Sequence, residues 1–285
     1  MLNYYQRSHS VALTEDQIHH IAPSVFAQDK HQSRSDKFAT IPTISIVRAL
    51  NKEGFEVVSA QQCSVRDVTR ADFTRHLLRL RHRDDIDNGN KNRLKDTHGE
   101  IVLKNANDGS SSYELMAGAY RLVCSNGMVG WSPFFDGIKV RHSGDFKKVA
   151  DSVIEGTYTV VDETNNLLAA RDRWSQITLS EESRLALADA AHIVRFGDSE
   201  GKTDTPIKPA QLLNIRRSGD SGKDLWTTFN VIQENAIRGG LTGYNRTTNR
   251  RTTTREVKSL DNDVKINRAL WRIADHFAQQ VKSAA

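Results

Sequence analysis

Residues 101–128 read IVLKNANDGSSSYELMAGAYRLVCSNGM, and the way this stretch divides decides the fold. Ile101, Leu103 and Asn105 alternate with Val102 and Lys104, the period of a short strand, and Asn107-Asp108-Gly109 supplies residues that tolerate turn dihedrals. Ser111 followed by Glu114 has the spacing of a capping box, in which side chains satisfy the first amides of a helix. Leu115, Met116, Ala119, Leu122 and Val123 then fall at helical spacing, and Asn126-Gly127 is a helix stop. The stretch therefore predicts strand, turn and helix in one continuous piece.

Working outward, a helix is expected from Thr43, ended by Gly54. A strand follows at residues 55–66 and a second at 73–83, with a polar loop at 84–99. The core order is thus helix, strand, strand, strand, helix. Residues 1–40 show little periodicity apart from a short helix capped by Thr14, and read as an N-terminal arm. Beyond the core, residues 138–142 and 153–161 suggest strands. Residues 167–174 and 180–196 suggest helices, the second capped by Ser180 with Glu181 and Glu182 suiting its dipole. The polar stretch 198–208, with Gly and Pro, is the best linker. A helix at 223–238 with Leu225, Trp226, Phe229, Ile232 and Ile237 inward stops at Gly239-Gly240, and a last helix covers 261–281. The expected fold class is α+β: a helix-β-β-β-helix core with an antiparallel sheet at 41–197, then a mostly helical basic region at 208–285 carrying a β-hairpin.

With 285 residues and 38% hydrophobic content the chain can bury a sizeable core. No apolar run approaches the roughly 20 residues of a membrane-spanning helix, and MLNYYQRSHS lacks the apolar middle of a secretory signal, so no membrane partner and a cytoplasmic location are expected. Cys63 and Cys124 have no metal-type neighbour and read as two buried thiols. The net charge is +5, but residues 208–285 hold 14 basic against 7 acidic residues, so the positive excess is concentrated late in the chain.

Within that region, residues 241–258 interleave Arg246, Arg250, Arg251, Arg255 and Lys258 with Thr and Asn, set Tyr244 alongside, and oppose them with Glu256 only. Guanidinium forks suit phosphate oxygens, hydroxyls and amides add neutral hydrogen bonds, and an aromatic ring can stack on an unpaired base. The bland alternative is a solvated hairpin whose arginines protect an edge. A second basic surface is suggested on the strand at 73–83, where Arg75, Arg79, Arg81 and Arg83 share one face, with Lys104 nearby; a solvated sheet face would look the same.

Asn105, Asn107, Asp108 and Gly109 could hold an anion at a helix N-terminus, although a turn alone explains them. His19-His20, His76 and His82 make no legible metal site. Asp84, Asp85, Asp87 and Glu100 could be pressed into a metal-dependent nuclease, yet most lie in the polar loop. No glycine loop ending in Lys-Ser/Thr is present, so no nucleotide cofactor is expected.

The segments GFEVVSAQQ at Gly54, TRHLLRLR at Thr74, NDGSSSYELMAGAYRLVCSNGMV at Asn107, VIEGTY at Val153, LWTTFNVIQENAIRGGL at Leu225 and NRALWRIA at Asn267 together resemble the domain of unknown function 932 family of phage and plasmid proteins. That resemblance implies a mobile-element setting and no mechanism. The expected core order is in addition similar to that of single-strand annealing proteins of the RecT, Redβ and Rad type, which implies single-stranded DNA held by an oligomer without hydrolysis. The expectation is a single-stranded DNA-binding, homo-oligomeric annealing protein; the alternatives are a metal-dependent nuclease and a protein that disarms a host defence enzyme.

Overall fold

The computed structural model describes residues 11–35, 37–40, 42–89, 97–121, 137–142, 146–198, 200–202, 205–245 and 249–283. It is α+β, with an antiparallel sheet and a helical C-terminal region, and it divides into a unit of residues 1–167 and a unit of residues 168–285. The division falls inside a continuous helix, whereas the linker expected at 198–208 lies within the second unit.

In the first unit, α1 (Glu15–Ile21) starts at the Thr14 cap, where Thr14 and Gln17 exchange side-chain and backbone bonds in a capping box. The expected arm does not hang free over these residues. Ile18, Ala22 and Val25 are buried, and the Leu13 amide donates to the Val57 carbonyl at 2.7 Å. Helix α2 (Thr43–Lys52) buries Ile44, Ile46, Val47 and Leu50 on one side. Thr43, its first residue, is fully buried and turns inward.

Strands β1 (Phe55–Gln62) and β2 (His76–His82) pair antiparallel, with a register shift between Val57 and Ser59. The expected polar loop is partly helical, with α3 (Arg83–Gly89) before β3 (Thr97–Asn105). The sheet then continues through β4 (Tyr113–Arg121) and β5 (Ile138–Val140) in the order β1-β2-β3-β4-β5.

The strand and turn of the opening stretch are as expected, but its helix is not. Tyr113–Arg121 is the fourth strand, aligned so that Leu103 faces Leu115 and Lys104 faces Glu114. Leu115 and Ala117 point to one face of the sheet, Met116 to the other, and all three are buried. A strand covered on both faces is apolar at consecutive positions, so its sequence cannot be told from a helix by period alone. Ser111 accordingly caps nothing; its hydroxyl donates to the Ser112 carbonyl. The expected helix end at Asn126-Gly127 and Cys124 lie outside the described residues. Cys63 is only partly buried.

Helix α4 (Phe146–Trp174) replaces the strand expected at 153–161. Two of its threonines bond back to the preceding turn: Thr157 and Thr164 donate to the carbonyls of Val153 and Val160, both at 2.9 Å. Below the sheet, the buried His76 ring bridges Ser24 (Nδ1 to Oγ, 2.8 Å) and Thr43 (Nε2 to Oγ1, 2.8 Å), and Asn105 donates to the same threonine at 3.0 Å. Burial holds the His76 pKa down to about 4, so the ring is neutral near neutrality.

The second unit holds α5 (Glu181–Phe196), capped by Ser180 as expected, then α6 (Leu225–Arg238), a two-stranded hairpin of β6 (Thr242–Asn245) and β7 (Arg250–Thr253), and α7 (Leu260–Ser283). Its core is aromatic. Trp174 lies 4.3 Å from Trp271 and 5.6 Å from Phe229 between ring centroids, with Trp226 beside Phe229 at 6.0 Å. No helix among the described residues is long and apolar enough to cross a membrane.

Candidate nucleic-acid interface

The hairpin stands on α6, and α6 is an unusual helix. From Leu225 to Ile237 every residue but Thr227 is buried, including Thr228, Asn230, Gln233, Glu234 and Asn235. The sequence LWTTFNVIQENAIR carries no charge between Asp224 and Glu234, which is the mark of a helix wrapped on all sides. Its amides are bonded: Gln233 donates to Asn267 Oδ1 at 2.8 Å, and Asn235 donates to the Leu212 and Asn214 carbonyls at 2.9 and 2.8 Å. Glu234 is shared by the guanidinium groups of Arg217 and Arg238, the latter at 2.7 Å.

At the C-terminus of α6 the chain reverses through Gly239, whose φ of +63° suits glycine. A Cβ there would sit 2.6 Å from the Thr254 carbonyl oxygen, so the strand returning from the hairpin packs directly on this turn. Backbone bonds seal the root: Gly240 donates to Thr254 at 2.8 Å, Thr254 to Leu241 at 2.9 Å, and Val257 to Ile237 at 2.8 Å. Lower down, Gly243 lets the backbone at Pro206 and Ile207 approach too closely for any side chain.

Above that root the hairpin is exposed. Tyr244 pairs with Arg251 across the ladder and Asn245 with Arg250, and Tyr244 is 52% accessible. Arg250, Arg251, Arg255 and Lys258 are all exposed. Among the described residues, Arg250, Arg251 and Arg255 have no carboxylate at ion-pair distance. Arg246 lies outside the described residues. Of the site residues expected late in the chain, Tyr244, Arg250 and Arg251 are brought onto one short ribbon, with Tyr244 beside Arg251 and Arg250 on the other face, while Arg255 and Lys258 follow β7.

The expected basic face of β2 is corrected by the structure. Arg79 and Arg81 are buried, and both donate to one carboxylate, Glu100, at 2.5 and 2.6 Å. Burial alone would raise the Glu100 pKa, but the charges and hydrogen bonds of Arg79 and Arg81 carry it below the ordinary carboxylate range. Lys104 is likewise buried and lies 3.2 Å from Glu114, which Lys139 also approaches at 3.2 Å. Arg75 is half-buried, outside β2, and its carbonyl accepts from the Cys63 amide. Arg83 pairs with Glu56 at 2.7 Å. Arg79, Arg81 and Lys104 therefore hold neighbouring strands together rather than offering a positive track.

The carboxylates considered for a nuclease are dispersed in role. Glu100 is taken by two arginines, and Asp84 lies 3.4 Å from His82. No group of three or more potential metal ligands occurs among the described residues. At the turn, Asp108 accepts from the Ser110 amide at 2.9 Å, which is ordinary turn chemistry.

Compared with known proteins, residues 30–271 match the family model described as domain of unknown function, DUF932. Two relatives from Escherichia coli strain K12 are similar over 270 residues, or 95% of this chain and 93% of theirs: the UPF0380 protein YfjQ at 41% identity and the UPF0380 protein YafZ at 40%. No solved structure matches the chain.

Proposed function

The chain belongs to the DUF932 family, and from that premise we propose that it is a non-hydrolytic protein that binds single-stranded DNA by its backbone through the β6-β7 hairpin. The observation carrying this reading is the exposed ribbon that bears Arg250 and Arg251, with Tyr244 next to Arg251 and Arg255 just beyond it, the three arginines without carboxylate partners among the described residues. Guanidinium groups gain most from phosphate where no internal carboxylate competes. Tyr244 adds a ring on which an unpaired base can stack, worth about 1 to 3 kcal/mol, which favours single strands over duplex.

Annealing of complementary strands by a homo-oligomer, in the service of phage or plasmid recombination, is the further step of the same reading. A backbone grip leaves base edges open for pairing. It draws no support from core topology, because the fourth strand replaces the helix on which the likeness to annealing proteins rested.

The test is a titration of the full chain with a labelled oligonucleotide at rising salt. Binding that weakens steeply between about 50 and 200 mM salt is expected, since released counterions oppose it. Binding that is absent at low salt, or indifferent to salt, overturns the reading. Mixing complementary strands with the protein then tests annealing, and mass measurement with and without oligonucleotide tests assembly.

A further inference from the structure

Resting on that reading, we propose that Arg195 and Arg216 are positioning residues, two guanidinium clamps that fasten the hairpin root to the end of α6 so that the phosphate-contacting strands are presented as a stiff unit. Neither lies in the hairpin. Arg195, in the last turn of α5, donates from Nε to the Ala236 carbonyl at 2.9 Å and from Nη2 to the Arg255 carbonyl at 3.0 Å. One side chain thus ties the last turn of α6 to the chain leaving β7. Arg216, arriving from the segment before α6, donates to Asn235 Oδ1 at 2.6 Å and to the Gly239 carbonyl.

The placement has a physical logic. The last carbonyls of a helix lack intrahelical partners and carry partial negative charge, so cations belong there. A lysine could neutralise that charge, but its donors share one nitrogen on a flexible stem, whereas the rigid fork of arginine reaches two fixed acceptors from separate nitrogens. The Arg195 guanidinium also lies 4.9 Å over the Phe196 ring, which fixes its direction. An isolated two-stranded ribbon is marginal in water. Here the ribbon's own ladder spans only four residue pairs, so its order must come from the root.

The experiment uses the full chain with Arg195→Met and Arg216→Met, which keep the apolar stem and remove the donors. Without DNA, hydrogen exchange at the Gly240 and Thr254 amides is expected to quicken about tenfold, while amides of the β1-β4 sheet keep their wild-type rates. With oligonucleotide, affinity is expected to fall about tenfold with the slope of log affinity against log salt unchanged, because the same phosphates are still met. Arg250→Ala with Arg251→Ala instead lowers that slope. Unchanged exchange at the root overturns the clamp, as does an affinity loss that comes with a lower slope. If wild type binds no oligonucleotide, the exchange measurement alone still decides the clamp, and only the DNA reading is lost. Should a methionine variant fail to fold, Arg195→Lys, which keeps the charge and loses the fork, is read the same way.

Discussion

Arg79 and Arg81 on β2, and Arg250 and Arg251 on β7, are the same residue type on strands, yet one pair is sealed in the first unit and the other stands in water in the second. The difference is a carboxylate. Glu100, on the neighbouring strand, takes both β2 guanidinium groups, while the hairpin has only Glu256 within its sequence. A cation-rich strand therefore says little about partners until the opposing strand is known. Burial of a charge is tolerated only when it is paired, and the penalty falls on whichever partner is left behind.

Removing that carboxylate should give the largest effect. Glu100→Ala leaves two buried guanidinium groups, and a loss of about 3 to 5 kcal/mol in urea unfolding is expected. A loss under about 1 kcal/mol would show that the β2 arginines reach water after all, and the contrast between the regions would disappear.

On the opposite face of the same strand, His76 tests burial through pH. Its folded pKa of about 4 lies below the ordinary 6.5, so the unfolded chain binds the extra proton between these values. Stability contributed by the neutral ring is present above pH 6.5 and is lost as pH falls toward 4. The expected loss is about 3 kcal/mol, from about 1.4 kcal/mol per pKa unit, and His76→Gln should flatten this part of the profile. An unchanged profile in the variant would place the pH dependence elsewhere.

At the hairpin root, Gly239→Ala must place a Cβ 2.6 Å from the Thr254 carbonyl oxygen at a positive φ. A loss of about 2 kcal/mol is expected by chemical denaturation, with faster exchange at the Gly240 amide. A neutral outcome would mean that the root yields easily, which would also weaken the case for a stiff hairpin.

The smallest effect on stability belongs to the exposed pair. Arg250→Ala with Arg251→Ala should change unfolding free energy by less than about 0.5 kcal/mol, because neither side chain is buried. The salt slope for single strands should fall by about 0.7 for each phosphate that is no longer neutralised. A stability loss comparable to that of Glu100→Ala would mean the two arginine pairs are not different in kind.

Local chemistry sufficed for several elements. The Thr14 and Ser180 caps, the inward residues of α6, its glycine stop and the basic hairpin all follow from signals a few residues long, because caps and reversals are satisfied within one turn of chain. Signals of that range could not distinguish helix from strand at Tyr113–Arg121, nor foresee that residues 153–161 are helical. A segment covered on both sides loses its period, and only the neighbouring strands say which ladder it joins. The fate of the arginines was decided the same way. The sequence by itself determined where positive charge is dense; the tertiary structure decided which of it is cancelled, because pairing Arg79 and Arg81 with Glu100 depends on a strand register set about twenty residues away.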